Sequence, residues 1–168
     1  MFQSRGKALI VLLMTVCLWF VHGCNNPDYV YLKGEPAADF SIERFDGGSF
    51  QLSDYKGKPI LINFFASWCV ACGTEVPVLA KISPEYIKKG VVFVSVAIND
   101  TETRARKFID KYNLAFATGL DKSGKIRRDY QIYGMPTTLL VDKQGTIKYL
   151  HLGGVTEDSI RDELDKLL

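Results

Sequence analysis

The sequence has few of the residues that build metal centres and little excess charge of either sign. It contains only two histidines and four cysteines, which leaves few ways to assemble a metal site. Basic and acidic residues number 21 and 19, and they are equal in number once Arg5 and Lys7 of the N-terminal segment are set aside. A nucleic-acid binder usually has a basic excess. We therefore predict no metal, no cofactor and no nucleic-acid partner.

A long hydrophobic run is also lacking. The most apolar segment, residues 8–21, has no charge over its 14 residues. As a helix it would extend about 21 Å, which is shorter than the roughly 30 Å hydrocarbon core of a bilayer. Because this segment follows Arg5 and Lys7, it is typical of a signal peptide. We predict a signal peptide over residues 1–23.

The end of this segment gives a second indication of targeting. Residues 21–24 (VHGC) resemble the lipobox of bacterial lipoproteins, with His22 in a place where a small residue is usual. The resemblance implies that Cys24 is lipidated and that residues 24–35 form a lipid-anchored tether. Two alternatives stay open: an uncleaved N-terminal anchor lengthened by residues 18–21, and a plain secretory signal. All three place the rest of the chain outside the cytoplasm.

The cysteines left for the folded part form one pair. Cys17 lies in the signal segment and Cys24 is used if the lipobox is functional, so Cys69 and Cys72 remain, spaced C-x-x-C. This spacing lets both sulfurs meet on one helical turn, and backbone N–H groups at a helix start stabilise a thiolate. We predict a redox pair in which Cys69 is the exposed nucleophile and Cys72 resolves the mixed disulfide.

Hydrophobic patterns predict an α/β sandwich with a mixed central sheet, because buried apolar strands alternate with helices. The predicted elements are a β-hairpin at 40–52, strands at 60–65, 91–98, 137–141 and 146–152, and helices from about 70, at 101–112, within 126–132 and at 156–168. In the first helix we expect a kink at Pro77. We also expect this helix to stop and a second helix to begin at residues 83–84, with Ser83 as its N-cap and Pro84 as its first residue. No linker divides residues 36–168, so they are predicted to form one domain.

Three segments together resemble a known family. They are residues 64–72 (FFASWCVAC), 91–98 (VVFVSVAI) and 134–138 (GMPTT), and they are similar to the thioredoxin-fold thiol–disulfide oxidoreductases of the TlpA/ResA-like branch. The resemblance covers nearly all of the mature chain. It implies a thioredoxin-like three-layer sandwich with an N-terminal β-hairpin and a central helical insert, for which residues 40–52 and 101–130 are the candidates.

The resemblance also implies the catalytic roles. Cys69 and Cys72 match the redox pair, and Glu75 matches an acidic residue that tunes the proton affinity of the two cysteines. Asn63 stands where thioredoxin itself has a buried carboxylic acid, so Glu75 is the better candidate for acid–base chemistry. Ala71 stands where the branch usually has proline, so its redox potential does not carry over to this chain.

The residues expected to contact substrate come from two segments. Pro136 matches the cis-proline that faces the redox pair in this fold, and it would present the backbone of Met135 for strand-like pairing with a bound peptide. Trp68 matches the tryptophan that shields the site. We therefore predict substrate binding at Trp68, Met135 and Pro136.

The function implied is that of an extracytoplasmic thiol–disulfide oxidoreductase, anchored by its N-terminal lipid to a bacterial membrane. The favoured direction is reduction of disulfides in envelope proteins, apocytochrome c among them, with electrons from a membrane donor and a monomeric enzyme. Two alternatives stay open. The same chemistry in reverse would make a thiol oxidase, and a thioredoxin-fold binding protein such as a copper chaperone would bind through its thiols without exchanging electrons.

Overall fold

Seven strands and four α-helices make up residues 32–168, the part of the chain that the computed structural model describes. In chain order they are β1 (Ser41–Glu43), β2 (Ser49–Gln51), β3 (Ile60–Phe65), α1 (Cys72–Lys88), β4 (Val92–Ala97), α2 (Glu102–Tyr112), β5 (Ala117–Leu120), α3 (Lys125–Asp129), β6 (Thr137–Val141), β7 (Ile147–Leu152) and α4 (Glu157–Asp165). The signal peptide, Cys24 and most of the tether lie outside the described residues.

Five strands form one mixed sheet in the order β5-β4-β3-β6-β7. β3 is parallel to β4 and antiparallel to β6, and β4 is parallel to β5. All six residues of β3 are buried, because this central strand is covered on both faces. That explains why its sequence, ILINFF, is nearly continuous in apolar residues.

Helices and a hairpin cover the two faces of the sheet and make three layers. On one face the β1–β2 hairpin and α3 pack on the sheet, with Phe40 and Tyr130 in edge-to-face contact. On the other face α1 and α4 pack on Leu61 and Leu140. This is the thioredoxin-like sandwich with an N-terminal hairpin that the sequence predicts.

The predicted hairpin at residues 40–52 is confirmed, and the shape of its turn explains why it contains two glycines. Ser41 and Gln51 are paired in an antiparallel register. The turn between the strands contains Gly47 and Gly48, both at positive φ, which glycine adopts without steric penalty. Before the hairpin, the end of the predicted tether contacts the β6–β7 turn, where Gly34 N–H donates to the Ile147 carbonyl at 2.8 Å.

Helix α1 corrects the sequence prediction. It begins at Cys72, not at residue 70, and it continues through Pro77 and Pro84 to Lys88 without the stop and restart expected at Ser83. Pro84 has no N–H to donate to the carbonyl of Ala80, four residues earlier. The Ser83 hydroxyl donates to that carbonyl at 3.3 Å, so Ser83 is a buried mid-helix donor and not an N-cap.

The central segment, residues 101–130, contains more than the helices expected of it. It also supplies β5, an edge strand that the sequence patterns did not predict. β5 has only four residues, and one of them is Gly119, which weakens the strand signal. Glycine is required there because a Cβ would collide with the carbonyl oxygen of Glu43 in the hairpin.

Candidate active site

The cysteine pair lies at the junction between the central strand and the longest helix. β3 ends at Phe65, a turn follows, and α1 begins at Cys72. Cys69 and Cys72 are joined by a disulfide, with their Cα atoms 5.3 Å apart. The backbone N–H of Cys72 also donates to the Cys69 sulfur at 3.1 Å. The helix start therefore directs a donor at the first sulfur of the pair.

The two cysteines differ slightly in exposure. Cys69 is 9% exposed and Cys72 is 0% exposed. The first cysteine lies at the surface of a small apolar cluster that includes Phe65 and Ala105, and the second lies inside it. Of the two cysteines, Cys69 is the one that keeps some surface open to solvent.

The loop before β6 faces the pair. The bond between Met135 and Pro136 is cis, as predicted. The carbonyl oxygen of Met135 lies 3.5 Å from the Cys69 sulfur, and the Pro136 carbonyl accepts a hydrogen bond from Gly153 N–H at 2.8 Å. The structure thus brings two of the predicted substrate-binding residues to the reactive sulfur.

Trp68 lies beside the pair on the protein surface. Its side chain is 55% exposed, and its indole N–H donates to the Asn99 carbonyl at 3.1 Å. The neighbouring backbone is fixed as well, because Ser67 N–H donates to an Asp100 carboxylate oxygen at 2.6 Å. The indole is therefore held against the β4–α2 loop while much of its surface stays open to solvent.

Glu75 is buried beneath the pair, one helical turn after Cys72. Its carboxylate accepts hydrogen bonds from Asn63 Nδ2 at 2.7 Å, Thr138 Oγ1 at 3.0 Å and Val155 N–H at 3.3 Å. Burial raises the pKa of Glu75 above its ordinary value, and the three hydrogen bonds offset only part of that effect. A carboxyl group with a raised pKa, one helical turn from a cysteine, can accept and return a proton when that cysteine is a thiol.

Comparisons with known proteins agree with this geometry. A model described as the AhpC/TSA family matches residues 33–150. The thiol–disulfide oxidoreductase ResA of Oceanobacillus iheyensis is 34% identical over 170 aligned positions, which cover 99% of this chain and 88% of that protein. The chain belongs to the AhpC/TSA family, as a ResA-like thiol–disulfide oxidoreductase.

Solved structures show the same fold. The thioredoxin domain of a thiol–disulfide oxidoreductase from Bacteroides vulgatus has a TM-score of 0.72 and 28% identity, covering 80% of this chain and 96% of that one. The exposed lipoprotein thioredoxin of Streptococcus pneumoniae has a TM-score of 0.69 and 29% identity, covering 77% of this chain and 100% of that one.

Besides Trp68, which the sequence analysis predicted, three exposed apolar side chains near the pair were missed. Of the six large apolar side chains that stay exposed in residues 32–168, four lie on segments that border Cys69. They are Trp68, Val70, Tyr133 and Leu152, which we call the apolar rim. Val70 is 89% exposed between the cysteines, and the Leu152 side chain lies against Gly134. The signal for Val70 was present in the sequence, since a residue between two active-site cysteines at a helix start points outward.

The histidine of the described residues was given no role in the sequence analysis, and the predicted lipidation site lies outside those residues. His151 lies on β7 with its ring stacked on Tyr149, centroids 6.1 Å apart, and residues 32–168 contain no cluster of three or more histidine, cysteine or acidic side chains suited to a metal ion. The oxidoreductase has no helix in that range that is long and apolar enough to cross a bilayer. Lipidation at Cys24 stays a prediction.

Proposed function

We propose that this oxidoreductase is an extracytoplasmic reductase of protein disulfides in which Cys69 attacks the substrate. The proposal is carried by the position of Cys69, which keeps 9% of its surface open to solvent while Cys72 keeps none, and whose sulfur lies 3.5 Å from the Met135 carbonyl. The direction of electron flow rests on the resemblance to the TlpA/ResA-like branch. The chain is proposed to act as a monomer.

The first step forms a mixed disulfide. In the reduced enzyme the Cys69 thiolate is stabilised by the Cys72 backbone N–H and by the helix start. It attacks one sulfur of the substrate disulfide, the substrate S–S bond breaks, and the other substrate sulfur leaves as a thiolate that takes a proton from solvent. One substrate sulfur is now bonded to Cys69.

The second step releases the substrate and uses Glu75. Residues three apart on a helix are neighbours, so the ionised Glu75 carboxylate can accept the proton of the buried Cys72 thiol. The Cys72 thiolate attacks the Cys69 sulfur, their disulfide forms, and the second substrate sulfur leaves as a thiolate. Two electrons have passed from the cysteine pair to the substrate.

The enzyme is then reduced by a dithiol on a membrane partner. A donor thiolate attacks the exposed Cys69 sulfur, and Cys72 leaves and regains a proton from Glu75. The second donor thiolate attacks the mixed disulfide and frees Cys69. Each turnover oxidises one donor dithiol and reduces one substrate disulfide.

Substrate contacts are proposed at Trp68, Met135 and Pro136. The Met135 carbonyl lies 3.5 Å from the Cys69 sulfur, so an extended peptide that reaches this sulfur also reaches the loop backbone. The apolar rim around the sulfur suits a substrate with apolar side chains near its cysteine, as in an unfolded envelope protein. Apocytochrome c is a substrate of this kind.

The location is proposed from the N-terminal sequence. The signal segment and the lipobox-like VHGC at residues 21–24 support a lipid anchor at Cys24 on the outer side of a bacterial membrane. The similar structure from Streptococcus pneumoniae is named as an exposed lipoprotein. Mass spectrometry of the N-terminal peptide from membranes tests this: a diacylated Cys24 is expected, and an intact segment 1–23 would contradict it.

The catalytic proposal is tested by trapping. Cys72→Ser is expected to attack substrate disulfides and to stop at the mixed disulfide, so it should accumulate covalent complexes with envelope proteins that dithiothreitol dissolves. Cys69→Ser is the matched control and should form no such complexes. In an insulin-reduction assay both variants should lose turnover. Trapping through Cys72 in the Cys69→Ser variant, or full turnover in either variant, would contradict the proposal.

A further inference from the structure

A row of polar residues crosses the sheet beneath α1. Thr118, Ser95, Asn63, Thr138 and His151 are paired directly with one another on β5, β4, β3, β6 and β7. Side chains of directly paired residues point to the same face of a sheet. The three central members are fully buried. Buried polar side chains are expected to form hydrogen bonds with defined partners, and these side chains do.

The hydrogen bonds of the three central residues all run toward Glu75. The Ser95 hydroxyl donates to Asn63 Oδ1 at 3.3 Å. This fixes which end of the amide faces the helix, so the Asn63 NH2 group donates to Glu75 Oε2 at 2.7 Å and to Thr138 Oγ1 at 3.1 Å. Thr138 in turn donates its own proton to Glu75 Oε1 at 3.0 Å.

The donor count leaves little freedom at the carboxylate. Thr138 and Val155 N–H both donate to Oε1, and Asn63 donates to Oε2. A carboxylate oxygen has about two lone-pair sites, so Oε1 is saturated and one site on Oε2 remains. A proton that binds Glu75 without displacing a partner binds at that site.

We infer that Asn63, Thr138 and Ser95 are positioning residues that hold the Glu75 carboxylate for proton exchange with the cysteine pair and set the pH at which it becomes a base. The inference rests on the proposed role of Glu75. Every hydrogen bond that the network makes to Glu75 is donated to the carboxylate. These bonds therefore favour the ionised form and oppose the effect of burial on the pKa. Loss of one donor should make Glu75 harder to ionise.

Few other titratable groups face Glu75. On its own helix and the preceding turn these are Cys72 and Cys69. From the opposite side they are two residues on the same face of β7. Tyr149 has a pKa that is raised first by burial and then by Glu163 and Glu75, and His151 is paired with Thr138. In the oxidised enzyme the cysteines do not titrate, so the ionisation of Glu75 can be followed without them.

The test is a carboxyl titration that does not depend on activity. The full chain in detergent, labelled with ¹³C at glutamate side-chain carboxyls and oxidised, is titrated by NMR, and the resonance missing from Glu75→Gln identifies Glu75. Thr138→Val and Asn63→Leu should each raise the midpoint by about one pH unit, a tenfold change in proton affinity. Ser95→Ala, which only frees the amide to reorient, should raise it by roughly 0.3 unit, about twofold.

Two matched variants separate positioning from packing. Thr138→Ser keeps the hydroxyl and should restore the wild-type midpoint. Thr118→Val removes another buried hydroxyl of the same row, whose partner is the Phe116 carbonyl, and should not move it. The inference is overturned if Thr138→Val and Asn63→Leu leave the midpoint unchanged, or if Thr118→Val shifts it equally. If Thr138→Val and Asn63→Leu shift the midpoint as expected but Glu75→Gln has unaltered catalysis, the proposed role of Glu75 is refuted, while its positioning by the network is supported.

Discussion

Side chains of β3 alternate between two faces of the sheet that are equally buried and differently composed. On one face Ile62 and Phe64 pack beneath the hairpin and α3 in a continuous apolar cluster. On the other face Leu61 belongs to the cluster under α1 and α4, and its neighbour Asn63 contacts Glu75. One strand thus serves an apolar core and a buried polar network.

The difference shows where this fold buries a carboxyl group at a cost in stability. Apolar side chains gain roughly 1.5–3 kcal/mol each from burial, whereas a buried carboxylate must recover a large desolvation penalty through its hydrogen bonds. The polar face keeps Glu75 beside the redox pair. We expect substitutions on the apolar face to change the free energy of unfolding, and substitutions on the polar face to change rates and pH dependence.

The largest effect is expected on the apolar face. Phe64→Ala removes a ring that is fully buried and contacts Tyr130 with centroids 5.4 Å apart, and it should lower the free energy of unfolding by about 3–5 kcal/mol. Denaturant unfolding measures this. The variant should keep the wild-type pH dependence of mixed-disulfide resolution where it stays folded. A pH profile shifted as far as that of Glu75→Gln would show that the two faces are not separate.

On the polar face, Glu75→Gln should slow resolution of the mixed disulfide by roughly 100-fold, the usual range for loss of an acid–base group. Stopped-flow kinetics with a peptide disulfide separate this step from the initial attack, which should change little. Glu85→Gln on the same helix is the control, because Glu85 is exposed and pairs with Lys89 and Arg161. Equal slowing in both variants would exclude a special role for Glu75.

The same substitution should change how stability depends on pH. Burial holds the pKa of Glu75 above that of a glutamate in the unfolded chain. Between the two pKa values the folded state binds more protons, so this group's contribution to the free energy of unfolding falls as pH rises through that window. The difference between the wild-type and Glu75→Gln unfolding curves, taken on oxidised protein, isolates it. A wild-type stability that rises relative to that of Glu75→Gln as pH rises through the window, or no pH-dependent difference at all, would disagree with the raised pKa.

A smaller effect is expected at a hydroxyl group that packs on the apolar face. The Tyr130 hydroxyl donates to the Ala38 carbonyl at 2.6 Å, and Tyr130→Phe removes that bond while keeping the ring. The free energy of unfolding should fall by about 1 kcal/mol, with no change in resolution rate. A loss close to that of Phe64→Ala would mean that the hydroxyl anchors the whole N-terminal segment.

The sequence predicted the parts of this molecule whose cause is local. The bounds of β3 match the prediction because a short, nearly continuous apolar run is typical of a buried strand. The cysteine pair and the cis-proline match because each belongs to a short motif. The predicted stop of helix α1 at Ser83 is wrong. It was expected because proline usually ends a helix. In the structure, the Ser83 hydroxyl donates to the Ala80 carbonyl that Pro84 leaves without a backbone donor.

The parts that could not be predicted depend on contacts between distant residues. β5 is a strand because the edge of β4 is open to it, not because four residues with a glycine favour one. The Glu75 network joins Asn63 to Thr138, 75 residues later, and Glu75 to Val155, 80 residues later. No local pattern marks such pairs, so the sequence indicates Glu75 as an acid–base residue without indicating its partners.

The reduction potential of the Cys69–Cys72 pair tests the central claim most directly. The full chain in detergent would be equilibrated in glutathione and dithiothreitol buffers, with tryptophan fluorescence and thiol alkylation reporting the reduced fraction. A reductase supplied by a membrane donor should have a midpoint at or below about −230 mV, toward the thioredoxin range. A midpoint near about −120 mV, as in strong disulfide donors, would contradict the proposed direction and identify a thiol oxidase.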